Sequence, residues 1–117
     1  MAKVLIIDDE ELIRESLGEF LKMVSDNKVI ETGKGITGVE LAVKEKPDVI
    51  FCDIGLPDIS GTEVIRQLRH NHCFESTLII AMSGEEENGK KALASGANVF
   101  IKKPYSISDI ETAMGGF

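Results

Sequence analysis

Val4-Leu5-Ile6-Ile7-Asp8-Asp9 and Val49-Ile50-Phe51-Cys52-Asp53 are continuous apolar runs that each end on acid. Unbroken rather than alternating apolar residues predict strands covered on both faces, the pattern of a parallel sheet. Two such strands side by side place Asp8, Asp9 and Asp53 at one edge of that sheet. Two further runs end in polar residues. Leu78-Ile79-Ile80-Ala81-Met82 runs into Ser83-Gly84, and Val99-Phe100-Ile101 into Lys102-Lys103-Pro104. Three carboxylates, a hydroxyl and an ammonium then meet on one rim, a set suited to a divalent cation and a phosphoryl group.

Working outward, the segments between these runs carry helical period. Leu12, Ile13, Leu17, Phe20, Leu21 and Val24 form a stripe for a first helix, with Gly18 inside it at a cost of about 1 kcal/mol relative to alanine. Val29-Ile30 reads as a short second strand, and Ile36 to Val43 as a helix that must end before Pro47. Strands are expected at residues 48–53, 77–82 and 98–102. Ser60-Gly61-Thr62-Glu63 reads as a capping box opening a helix. Another helix is expected from Glu86 to Ser95 with Gly96 as its C-terminal cap, and a last one from Ser106 to Met114, stopped by Gly115-Gly116. The fold class that follows is α/β, a doubly wound five-stranded parallel sheet with helices on both faces, flavodoxin-like, from a βα unit repeated five times. Such sheets bind ligands at the carboxyl ends of their strands, where the strand order reverses.

Composition narrows the function. The 117 residues predict a single domain, residues 1–117, with no output domain. A net charge of −7 argues against direct nucleic-acid binding. No apolar run approaches the roughly 20 residues of a membrane span, and no secretory signal precedes the first strand. Cys52 reads as a small buried hydrophobe, and Cys73 with His70 and His72 lacks metal-site spacing. Free thiols point to a reducing, cytoplasmic location. Gly84 to Lys91 imitates a phosphate-binding loop, but three glutamates would repel phosphate and no Ser or Thr follows the lysine.

The motifs together resemble the receiver domain of bacterial two-component response regulators, the CheY-like domain. The resemblance covers essentially the whole chain. It rests on Ile6-Ile7-Asp8-Asp9-Glu10, Asp53-Ile54-Gly55-Leu56-Pro57 with Ser60-Gly61, Met82-Ser83-Gly84, and Lys103-Pro104-Tyr105, in order and at the ends of the right strands. It implies Asp53 as phosphoacceptor, Asp9 and Asp53 with the Gly55 carbonyl as direct Mg²⁺ ligands, and Asp8 as a water-mediated one. Ser83 and Lys103 match the hydroxyl and ammonium that contact the phosphoryl group. Phe100 matches the aromatic that swings inward in the switched state, and the Lys103-Pro104 bond is cis in the family pattern. The implied donor is a sensor histidine kinase or histidine phosphotransfer protein, recognised through residues 12–21 and 104–106. The implied output is a downstream protein target or a receiver homodimer, contacted through helix four, strand five and helix five.

Plainer readings stand beside these. Asp9 can serve as an N-cap, Ser83-Gly84-Glu85-Glu86 is itself a capping pattern, and Phe100 can be simple core. An aspartyl phosphohydrolase would use Asp53 in a similar way, but typically carries a second catalytic Asp two residues on, where this chain has Gly55. A phosphorylation-independent interaction domain would have no use for the complete acid, hydroxyl and lysine set. The stretch from Ser83 to Lys103 is about two residues shorter than the family usual, a difference expected in the loop before helix four or in its first turn.

Overall fold

The computed structural model describes residues 1–115. Strands and helices alternate: β1 (Lys3–Ile7), α1 (Glu11–Val24), β2 (Lys28–Thr32), α2 (Gly35–Glu45), β3 (Val49–Asp53), α3 (Gly61–Arg69), β4 (Leu78–Ser83), α4 (Asn88–Ser95), β5 (Val99–Lys102) and α5 (Ile107–Met114). All strand pairs are parallel, in the order β2-β1-β3-β4-β5. From β1 the chain moves outward to β2, then returns to the far side of β1 to lay down β3. The order therefore reverses between β1 and β3, and a crevice opens at their carboxyl ends. Ile7 pairs with Cys52 in that register, and the next residue on each strand is an aspartate.

Alternate side chains on each strand enter opposite layers. Leu5, Ile7, Ile50, Cys52, Ile79 and Ala81 pack with Val64, Ile65 and Leu68 of α3 and Ala92 of α4. Val4, Ile6, Val49, Phe51, Ile80 and Met82 pack with Leu17 and Leu21 of α1 and Ile110 of α5. Each fully buried Leu, Ile or Phe contributes about 1.5–3 kcal/mol. With core on both faces, the strand ends have little freedom to shift, and the rim residues inherit that rigidity.

Several local expectations are corrected. β2 is longer than Val29-Ile30, because an edge strand pairs through its backbone and keeps polar Lys28, Glu31 and Thr32 half in water. α4 begins at Asn88 rather than Glu86; the amides of Asn88 and Gly89 reach back only to the carbonyls of Glu85 and Glu86, a tight turn instead of a helix. Ser60 accepts from the Glu63 amide at 3.2 Å, but the Glu63 carboxylate turns to Arg66 and Gln67, so the capping box is half made. A complete box stands at α5, between Ser106 and Asp109. A 3-10 turn at His72–Phe74, unmarked by periodicity, buries Phe74. The α1 stripe is only partly covered: Leu17 and Leu21 are buried, whereas Leu12 is 79% exposed. α5 stops at Gly115, whose amide donates to the Glu111 and Thr112 carbonyls; the Gly116 part of the expected stop, like Phe117, lies outside the described residues.

α2 ends as Pro47 requires, through Lys46 in the left-handed region at φ 49°, its amide donating to the Ala42 carbonyl at 2.9 Å. A side chain there is strained by about 1–2 kcal/mol. Lys46→Gly is therefore expected to raise the unfolding free energy by about 0.5–1 kcal/mol in urea titration, after the extra entropy of glycine in the unfolded chain is counted.

Candidate functional site

Asp8 and Asp53 close the two central strands, and both are buried, at 0% and 6% exposure. The Asp8 amide donates to the Thr32 carbonyl at 3.0 Å, holding the end of β1 against β2. Its Oδ1 accepts from the Glu10 amide at 2.9 Å, which turns the chain into α1. On the other side, Gly61 presses the start of α3 onto β3. A Cβ at Gly61 would stand 2.1 Å from the Asp53 carbonyl oxygen, so no side chain fits.

Lys103 follows β5, with its amide donating to the Ser83 carbonyl at 2.8 Å. The Lys103-Pro104 bond is cis, as the resemblance implied. Its ammonium lies among the acids: Nζ is 2.9 Å from Asp8 Oδ2, 3.0 Å from Glu10 Oε1 and 3.5 Å from Asp53 Oδ1. Lys102 beside it is exposed. Four charged groups thus come together from three separate strand ends.

The electrostatics follow from this crowding. Burial and the neighbouring Asp8 push the Asp53 carboxyl up to about 6, with Asp9 adding to the effect, while Lys103 and the Gly55 amide oppose it. For Lys103, burial disfavours the ammonium, but hydrogen bonds to Asp8 and Glu10 and the charge of Asp53 outweigh it, so its pKa is raised. Burial likewise raises the Cys52 thiol, which donates weakly to the Asp53 and Gly61 carbonyls and stays protonated. Crowded carboxylates with one of them raised favour a bound cation and mark the crevice as a candidate functional site.

The carboxylates that gather are Asp8, Glu10 and Asp53, with oxygens within 4.8 Å of one another. Among the described residues no other set of three potential metal ligands lies so close; His70, His72 and Cys73 form none. Glu10 was absent from the expected ligand set. Its only sequence signal is its place directly after the Asp8-Asp9 pair. Asp9 is exposed and stands outside the trio, near enough to act on Asp53 through charge. It does not cap α1, whose N-cap residue is Glu10 with no side-chain cap. Hard oxygen donors of this kind fit a magnesium ion.

The loop after Asp53 is pinned from outside. Asp58 accepts the amides of Gly35 and Ile36 at 2.8 and 2.9 Å, fastening that loop to the start of α2. Those bonds, that of Ile36 first, hold its carboxyl down at about 2. Gly55 faces open space, with nothing within 4 Å of where a Cβ would be.

Ser83 ends β4 and is buried. Its Oγ accepts from the Glu85 amide at 3.1 Å and from Asn88 Nδ2 at 2.9 Å. It therefore braces the β4–α4 turn without being the N-cap of α4, and its own proton remains to be donated. Phe100 is half-buried on β5 and lies against α4 at Gly89, where a Cβ would come within 2.8 Å of its ring.

An α/β sheet with an acidic switch-point crevice and a lysine in it defines the class, and sequence comparison agrees. The model of the response regulator receiver domain matches residues 4–115. The chain belongs to that family, whose members are phosphorylated on aspartate by histidine kinases in two-component signalling. It is 36% identical over 104 residues to a cyclic di-GMP phosphodiesterase of Thermotoga maritima, covering 89% of this chain and 27% of that protein. It is 35% identical over 115 residues to the transcriptional regulatory protein BtsR of Escherichia coli K12, covering 97% of this chain and 47% of that protein. The chain thus spans half or less of the length of these relatives. Among solved structures, the chemotaxis response regulator CheY4 of Vibrio cholerae superposes with a TM-score of 0.89 at 26% identity, over 97% of this chain and 98% of that one. The receiver domain of a Pseudomonas aeruginosa sensor histidine kinase, which holds a magnesium ion in its cleft, shares the fold at a TM-score of 0.85 and 21% identity, over 95% and 92%.

Proposed function

We propose that Asp53 is the phosphoacceptor of this receiver domain and that its phosphorylation changes the protein-binding face formed by α4, β5 and α5. The observation that carries this is the Asp53 carboxylate at the switch point, with Lys103 Nζ at 3.5 Å and the Asp8 and Glu10 carboxylates beside it. An Asp53 oxygen bonds to phosphorus as the bond from phosphorus to the donor breaks, and the donor nitrogen or oxygen leaves with that electron pair. A carboxylate is a weak nucleophile, so the residues around it act by alignment and charge. Lys103 shifts from its acid partners to the incoming phosphoryl oxygens. Ser83 turns its free proton toward them and releases the β4–α4 turn, and Phe100 moves with that turn. Asp9, Asp53 and the Gly55 carbonyl would hold Mg²⁺, with Asp8 through water. The bound ion supplies positive charge that offsets the acids and the phosphoryl oxygens.

The family partner, a histidine kinase or phosphotransfer protein, is read onto a groove of about 440 Å³ between α1 and the β5–α5 loop. Its walls, Leu12, Ile13, Phe20, Pro104, Tyr105 and Ile107, are apolar and suit a helical partner. The groove opens beside Lys103, so a donor seated there stands next to Asp53. On the output side, Phe100 and Lys102 line a second groove with Asp109 and Thr112. The switch changes partner affinity only by the difference in binding free energy between its two states.

Intact mass after incubation with acetyl phosphate tests the reading. One added phosphoryl group, dependent on Mg²⁺, is expected; the adduct then decays by hydrolysis. No adduct, together with no Mg²⁺-dependent amide shift on adding beryllofluoride, overturns it. Continuous turnover of small phosphate esters would replace the switch with a phosphohydrolase.

A further inference from the structure

Gly18 sits in the middle of α1, where glycine is unfavourable by about 1 kcal/mol, and the proposed chemistry gives it no role. Its surroundings give it one. A Cβ at Gly18 would lie 2.7 Å from Glu31 Oε2, so the missing side chain is the slot into which the Glu31 carboxylate fits. From that slot Glu31 Oε1 stands 3.3 Å from Arg14 Nε as an ion pair without hydrogen-bond alignment, the buried Nε having no hydrogen-bond partner among the described residues. Arg14 Nη1 donates in turn to the backbone carbonyl of Asp8 at 2.7 Å. Gly33 leaves room for the same guanidinium, since a Cβ there would stand 3.1 Å from Nη1 and 3.5 Å from the Asp9 Cα.

We infer that Arg14, anchored by Glu31, is a positioning residue for the Asp8-Asp9 turn and through it for divalent-cation binding. The Asp8 carbonyl and the Asp9 amide belong to one peptide plane. Fixing the carbonyl with a charged donor therefore fixes the N–Cα bond from which Asp9 continues, and leaves rotation about that bond as the backbone freedom that still aims its side chain. The Glu31 charge holds the guanidinium beside it by attraction rather than by a hydrogen bond, and both side chains are largely shielded, at 19% and 27% exposure. Neither residue touches the ion site. They act as the outer partners that orient ligands do in other metal centres, where loss of such a partner weakens the metal about 10–100-fold.

This inference rests on the magnesium site of the proposed function, and Mg²⁺ titration followed by backbone amide shifts tests the two separately. Arg14→Gln is expected to raise the Mg²⁺ dissociation constant about tenfold and to shift the Asp9 amide before any metal is added. Arg14→Lys, which keeps the charge but cannot serve both partners, recovers only part of the affinity. Gly18→Ala is the second variant: it improves helix propensity, so a purely structural role leaves metal affinity unchanged. Displacement of Glu31 by the new methyl instead lowers that affinity while the fold persists. A folded Arg14→Gln or Gly18→Ala chain with wild-type Mg²⁺ affinity overturns the positioning role. A wild-type chain that does not respond to Mg²⁺ overturns the site reading beneath it.

Discussion

An Asp53→Asn chain gains no phosphoryl mass from acetyl phosphate and Mg²⁺, and it unfolds at a higher urea concentration than the wild type when metal is removed at pH 7. The two effects have one cause. The fold confines Asp53 beside Asp8, Glu10 and Asp9, and without a cation these carboxylates repel. The carboxyl is raised to about 6, above its value in an unfolded chain near 4. A raised carboxyl binds its proton more tightly when folded, so the cost to stability is absent below about pH 4, grows between about pH 4 and 6, and is complete above that. Asparagine carries no charge and leaves Lys103 paired with Asp8 and Glu10. The gain is about 1–2 kcal/mol after allowance for solvent screening, and it fades as pH falls toward 4. Urea titrations in EDTA at pH 7.5 and pH 4 check it (two buffer conditions chosen to bracket about pH 4–6). A variant no more stable than wild type at the higher pH would show that Lys103 already balances the acids.

Lys103→Met moves stability the other way. Its ammonium is the only cation within 4 Å of the Asp8 and Asp53 carboxylates among the described ion pairs. Asp8 is fully buried, so removing that partner leaves an uncompensated charge in the rim. Breaking a buried pair from one side costs about 3–5 kcal/mol; with Glu10 exposed and water at the crevice mouth, a loss of about 2–4 kcal/mol is expected in EDTA. Because the lysine pKa is raised, its contribution is full below about pH 10 and disappears only at higher pH. Any change in the penalty between pH 4 and 7 therefore comes from the acids, and the penalty shrinks as Asp53 takes up its proton. Millimolar Mg²⁺ should restore much of the lost stability, by mass action on a site now short of positive charge. Phosphorylation by acetyl phosphate should still fall about a hundredfold, because the point charge proposed to meet the phosphoryl oxygens is gone. A metal-free variant as stable as wild type would remove Lys103 from the role of internal counter-ion.

Asp53, Asp8, Ser83 and Lys103 were legible in the sequence for a physical reason. Each closes an apolar run that could only be a buried parallel strand, and strand direction then places all of them at one edge of the sheet. Pro47 and Gly96 marked helix ends because their conformational limits are local. The open α1 stripe and the 3-10 turn before β4 were not legible, since whether an apolar face is covered depends on how far a distant helix reaches across it. The late start of α4 was not legible either, since the turn of Glu85 to Gly89 before it, spanned by Ser83, is set by contacts made only in the folded chain.

By itself, then, the order of apolar runs and acids determined the sheet, its direction and the place of Asp8, Asp53, Ser83 and Lys103 at its carboxyl edge, because these follow from periodicity and burial along the chain. Only the tertiary structure decided that Glu10 closes on Lys103 while Asp9 stands apart. It alone showed that Gly18 makes room for Glu31, and Glu31 for an arginine on the Asp8 carbonyl. Those contacts join α1 to β2 across the end of β1, and no local pattern specifies which side chains will meet once three elements pack together.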